Sequence, residues 1–124
     1  MDDKNFKKRF IFLELMQRIL DFRERRDWAQ FHDPKNLAEA IAIESGELLE
    51  HFLWKSAAES REVVEEKRAE LASELADILT FSFLFAHEAG IDIHKAIIDK
   101  MNLNEERYPV EKARGTSKKY KDLK

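Results

Sequence analysis

Two pairs of acids, Glu44-x-x-Glu47 and Glu74-x-x-Asp77, constrain this chain more than any other feature of its sequence. Each pair is spaced i, i+3, so on a helix its carboxylates share one face about a turn apart. At ~100° per residue, Leu37, Ala40, Ile41 and Leu48 fall within roughly 60° of Glu44. Leu71, Ile78, Phe81 and Phe85 surround Glu74 in the same way. Both pairs therefore stand in apolar stripes, where a carboxylate is out of place. Four carboxylates turned inward repel one another and lose hydration unless a positive charge is held among them. Such an all-oxygen nest suits Mg²⁺, with Mn²⁺ as a substitute. The alternative puts the acids at the stripe margins, paired with Lys or Arg. Two stripe-centred pairs in one chain favour the metal.

The helices these pairs require are what the rest of the chain predicts. Among 124 residues, 38% are charged and only three are Gly and two Pro, a profile that favours long helices over a sheet. The expected fold is all-α, of the four-helix-bundle type, in one domain over residues 1–124. A first helix is predicted from Asp2 or Asp3, either serving as cap, to about Trp28. Phe6, Phe10, Phe12, Leu13, Met16, Ile19, Leu20 and Phe22 form its apolar face, and Lys7-Lys8-Arg9 reads as a solvated one. A second helix follows over about 37–55, with Asn36 as N-cap and Trp54 at its close. Ser56-Ala57-Ala58-Glu59 has capping-box form, and a third helix is expected over roughly 61–89, stopped by Gly90. Asp92 can cap a fourth, from Ile93 to Arg107, ended by Pro109. The Lys-rich tail, about 111–124, is expected to be partly mobile. The third helix is apolar nearly all round from Leu75 to Phe85. One small subunit cannot cover such a helix, so the bundle is expected to be completed by a homo-oligomer.

Several function classes drop out. Without cysteine there are no disulfides, thiolate zinc sites or cysteine nucleophiles. A net charge of −3 gives no argument for a nucleic-acid partner. No apolar run approaches the ~20 residues needed to span a bilayer, and the N-terminus lacks a signal-peptide layout. A cytoplasmic location is the expectation.

Two other stretches carry chemistry. Between Asp27 and Leu37 the helical pattern breaks around Pro34, leaving Trp28, Phe31, His32 and Lys35 on a loop. Its aromatics either bind a flat ligand or plug the end of the bundle. Further on, Lys100 and Asn104 are i, i+4, with Arg107 and Tyr108 following. Joined to a carboxylate-held cation, these groups describe a polyphosphate site. The cation neutralises phosphate oxygens and lowers the pKa of a bound water, while Lys and Arg stabilise the charge that builds on the phosphoryl group. No P-loop, Gly-rich cradle or Ser/His/Asp arrangement is present, so metal-activated water with one carboxylate as general base is the economical mechanism. His51, one turn beyond Glu47, either completes the metal set or is a surface or interface histidine.

At these residues the chain resembles the MazG-like all-α nucleoside triphosphate pyrophosphohydrolases. Within that group it is most similar to the dCTP pyrophosphatase branch. The resemblance runs from about Phe22 to Leu123. It is carried by the two acid pairs, by the stretch Arg26 to Leu37, by Trp54-Lys55, and by the run Lys100 to Pro109. It implies Mg²⁺ ligation by Glu44, Glu47, Glu74 and Asp77, and hydrolysis of a nucleoside triphosphate to monophosphate and pyrophosphate. It also implies a base pocket of Trp28, His32 and Trp54, with phosphates held by Lys100, Asn104 and Tyr108, and assembly as dimers or paired dimers. Phe81, placed with the substrate-binding set, stands where some relatives carry Tyr. His51 stands where an apolar residue is commoner. A pocket closed by indoles favours a pyrimidine, and the resemblance narrows this to dCTP, with a broad-specificity pyrophosphatase as the alternative.

Two rivals come from other classes. A di-iron bundle requires Glu-x-x-His pairs, and the sequence has none. A purely structural helical module, its acids paired at the surface, would gain no thermal stability from metal.

Overall fold

Charge-rich and nearly free of helix breakers, the chain forms helices throughout its described length. The computed structural model describes residues 3–124, without the side chains of Asn5, Phe6, Lys8, Arg9 and Phe10. The Asp2 cap, and the places expected for Phe6, Phe10, Lys8 and Arg9, lie outside the described residues. Six α-helices follow one another among those residues: α1 (Asp3–Arg25), α2 (Pro34–Glu50), α3 (Ala57–Glu66), α4 (Arg68–Ala89), α5 (Ile93–Arg107) and α6 (Val110–Ala113). Two 3₁₀ turns, Ala29–Phe31 and Tyr120–Asp122, complete the order, with no strand among the described residues. The chain divides into two units, one ending at Gly90 and one running from Ile91 to Lys124. None of the described helices is long and apolar enough to cross a membrane.

In the first unit the helix ends differ from expectation in instructive ways. α1 stops at Arg25, where the Arg23 carbonyl accepts the N–H groups of both Arg26 and Trp28 at 3.2 Å. Asp27 then turns the chain with a φ of 52°, a conformation that Asp tolerates better than most residues. α2 begins three residues before the predicted Leu37, because Asp33 and not Asn36 is its cap. Asp33 Oδ1 accepts the Asn36 N–H at 2.8 Å, and Pro34 takes the first helical position, where a missing N–H costs nothing. The Asn36 amide instead donates to the Phe31 carbonyl at 3.1 Å and ties the aromatic turn to the helix. α2 ends at Glu50, so Trp54 lies past the helix and does not close it. The expected third helix is two. Ser56 and Glu59 form the capping box that opens α3, and the chain departs from helical geometry at Lys67 before α4. Gly90 ends α4 in the left-handed region, at φ 67°.

The core sits along α4. α2 packs on it most extensively, with α1 and α3 on it to a lesser extent. Leu37, Val63, Leu84 and Ala86 are buried. The rings of Phe12 and Phe83 meet edge-on at 5.1 Å, and Arg23 Nη1 donates to Glu88 Oε1 at 2.6 Å, so α1 is pinned to α4 at two levels. Leu75 and Leu79, one turn apart on α4, stay about half exposed.

In the second unit, Asp92 Oδ1 accepts the Lys95 N–H at 3.0 Å and caps α5 as expected. The tail returns to the other end of that helix. The Tyr120 ring lies edge-on to Tyr108 at 6.1 Å and 4.5 Å beneath the Arg107 guanidinium.

Candidate active site

Packing of α2 on α4 makes neighbours of the two acid pairs. The first member of each pair, Glu44 and Glu74, is half-buried, whereas Glu47 and Asp77 are exposed. The helical step accounts for this: three residues rotate ~60° from the stripe centre, so the second acid reaches its margin. Of the inward turn expected of all four, Glu44 and Glu74 show part and Glu47 and Asp77 do not. Burial, then a hydrogen bond with Glu47, then the charges of Glu47, Asp77 and Glu74 push the Glu44 carboxyl above the ordinary glutamate range. One carboxyl therefore feels the other three.

Glu74 brings a second sign of an unfinished site. The Nε2 of His51 lies 2.8 Å from Glu74 Oε2, and its Nδ1 lies 4.0 Å from Glu70 Oε2. Yet Glu74 Oε2 is shut off from solvent without a well-aligned hydrogen bond. His51 is thus largely enclosed beside a candidate ligand, not a free surface histidine. Among the described residues no three His, Asp or Glu groups already stand together at metal-binding distances. The donor chemistry nonetheless fits a hard divalent cation: oxygen ligands, a carboxylate oxygen shut off from solvent without a well-aligned hydrogen bond, and mutual repulsion that a cation relieves.

Beside Asp77 a cavity of about 630 Å³ opens between α1, the aromatic turn and α4. That size lies within the usual range for a small-molecule site. Trp28, His32 and Phe81 line it together with Phe22, Arg23 and Thr80. Its aromatic groups are ordered by edge contacts, Phe22 with Trp28 at 5.7 Å and His32 with Phe81 at 6.5 Å. Burial first, then the Arg23 charge, hold His32 below the ordinary imidazole value, with Glu88 acting the other way. The imidazole is therefore neutral at pH 7, with one ring nitrogen able to accept a hydrogen bond.

The remaining expected residues stand elsewhere. Trp54 is 91% exposed, has a φ of 62°, and does not line this cavity. Lys100 is exposed on α5, and Asn104, Arg107 and Tyr108 are half-buried towards its C-terminal end, in the second unit. Sequence reasoning missed Arg23 as a cavity residue. The signal was present: Arg23 shares the stripe of Phe12, Met16 and Ile19, the same anomaly of a charge on an apolar face that marks Glu44.

Comparison with known proteins follows the same lines. The model of the MazG-like family matches residues 40–123. The dCTP pyrophosphatase 1 of Rattus norvegicus is 43% identical over 114 residues, covering 90% of this chain and 67% of that protein. The Homo sapiens protein of the same name is 40% identical over the same coverage. Among solved structures, a pyrophosphatase from Archaeoglobus fulgidus superposes with a TM-score of 0.76 at 40% identity. That match covers 79% of this chain and 92% of the archaeal one.

Proposed function

The chain belongs to the MazG-like family, and from that premise we propose that it is a dCTP pyrophosphohydrolase, cleaving dCTP to dCMP and pyrophosphate. The observation that carries this reading is the acid cluster of α2 and α4 standing beside an aromatic cavity whose wall includes Asp77. Charge chemistry and base recognition then meet at one residue.

Glu44, Glu47, Glu74 and Asp77 are the residues that would hold a divalent cation, Mg²⁺ in this proposal, with Mn²⁺ able to replace it. Such an ion, when bound, neutralises phosphate oxygens and acidifies a coordinated water. The chain's own residues do the rest. One of the four carboxylates, left free of the cation, accepts the proton of the attacking water. Trp28 and Phe81 offer ring faces to the base, and His32 offers a neutral imidazole to its polar edge. The proposal assigns phosphate contacts to Lys100, Asn104, Arg107 and Tyr108. It assigns to Trp54 a base contact made within an assembly, since this indole is free in the single chain. Support for assembly comes from exposed apolar side chains: Ile43 at 62%, Leu49 at 69%, and Leu75 and Leu79 on α4. A homotetramer in the cytoplasm, serving to clear unwanted nucleotides from the pool, completes the proposal.

Product analysis tests the reaction. Phosphorus NMR of a dCTP digest should show pyrophosphate and dCMP with no dCDP. Formation of dCDP and orthophosphate would contradict the proposed cleavage.

A further inference from the structure

Arg23 is the only charged residue among the described ones that is buried, at 5% exposure, yet it is poorly satisfied there. Its Nη1 donates to Glu88 Oε1 at 2.6 Å, while its Nε has no hydrogen-bond partner. A buried cation with an idle donor is costly to keep. Replacing a buried ion pair by apolar side chains is often neutral or stabilising, so such a pair is poor evidence for stability alone. Its position offers another reason to retain it. Through its side chain Arg23 grips the C-terminal end of α4. Through its carbonyl it takes the N–H of Trp28 and fixes the start of the aromatic turn. Arg23 also lines the cavity, together with Trp28, His32 and Phe81. His32 lines the cavity too, and its Nδ1 is shielded from solvent without a hydrogen-bond partner.

We propose that Arg23 and Glu88 form a positioning clamp that holds Trp28 and His32 against α4 and so sets which base the cavity accepts. The side-chain bond of the clamp runs to Glu88 and not to the acid cluster, so the clamp is assigned to base binding and not to bond cleavage. Neither residue is a catalytic one. The inference rests on the pyrophosphohydrolase reading, because discrimination between bases is what the clamp would control. Arg18 and Asp77 also face the cavity, but neither ties the turn to α4 by a bond the structure shows.

The test uses three variants of the full chain: Arg23→Met, Glu88→Met, and the double Arg23→Met/Glu88→Met. Each single change strands a charge and should lower Tm. The double leaves two apolar side chains that can pack together, and its Tm should return close to wild type. A merely structural pair would then recover discrimination along with stability. The clamp predicts otherwise: in the double variant the preference for dCTP over dTTP falls by about tenfold or more, through KM, with kcat for dCTP little changed. A stable double variant with wild-type discrimination overturns the clamp alone. So does a loss confined to kcat. A wild-type chain that does not hydrolyse dCTP at all overturns the clamp and the parent reading together.

Discussion

Glu44 shows how one side chain reports on a site. Its carboxyl is raised by burial and by three neighbouring acids, so between the ordinary and the raised value the folded chain holds a proton there that the unfolded chain releases. The sign follows from that difference. Below the ordinary glutamate value of ~4.3 both states are protonated and Glu44 carries no penalty, whereas above its raised native value the penalty is complete. For metal-free protein, the Tm of wild type relative to Glu44→Gln should therefore rise as pH falls across that window. Saturating Mg²⁺ should flatten the trend, because a cation then does what the proton did. Thermal melts of both chains over a pH series check this, and a gap that stays constant with pH would contradict it. Glu47→Gln, also without metal, should be neutral or stabilising in Tm, yet with Mg²⁺ it should lose most of the activity at unchanged helix content. A large drop in metal-free Tm would make Glu47 a structural ion-pair partner instead. These acids were legible in the sequence because a charge inside an apolar stripe is an anomaly with a definite period. Arg23 carried the same anomaly. What periodicity could not supply was its partner, since Glu88 lies 65 residues away and only the packing of α1 on α4 joins them.

Helix termini divide into those with chemical punctuation and those without. Ser56-x-x-Glu59, Gly90 and Asp92 each name a boundary through a specific hydrogen bond or backbone conformation. Gly90 and Asp92 do so where expected, whereas the Ser56 box opens a helix at Ala57, ahead of the expected start near 61. The cap expected for α2 was Asn36. Asp33 wins over Asn36 because a cap there lets Pro34 sit at the first helical position, and it frees the Asn36 amide to hold the Phe31 carbonyl. The break at Lys67 has neither glycine nor proline to announce it, so the spacing read through it as one helix. Because the Asp33 cap fixes the turn that carries His32, Asp33→Ala should cost ~1 kcal/mol of stability and also raise KM for dCTP. Ser56→Ala should lower stability as well, but its cap lies far from that turn in the chain and KM should stay put. Denaturant titrations and steady-state kinetics on the two variants make the comparison. Equal KM values would mean that the turn does not depend on its cap.

At the scale of the whole molecule, the apolar surface is the dominant fact. Few side chains are fully buried, while Ile43, Leu49, Leu75 and Leu79 remain about half exposed or more. The all-round apolar character of residues 75–85 made this legible, but not which side chains would be left open. Phe83 is not among them: it packs edge-on against Phe12 within the chain, so Leu79 is the better probe of an interface. Sedimentation should give a dimer or tetramer at micromolar concentration, and Leu79→Glu should shift it towards monomer with the helices intact. An exposed side chain on a true monomer would tolerate that change within ~0.5 kcal/mol and leave sedimentation unaltered.

The claim that unites these scales is that the acid cluster and the aromatic cavity act on one substrate, a cytosine nucleoside triphosphate. The most direct measurement is pyrophosphate release with Mg²⁺ across all the common nucleoside triphosphates, compared as kcat/KM. The account predicts dCTP as the best of them, well ahead of dATP and dGTP, with no release when Mg²⁺ is chelated. Equal kcat/KM for dCTP and dATP would contradict it.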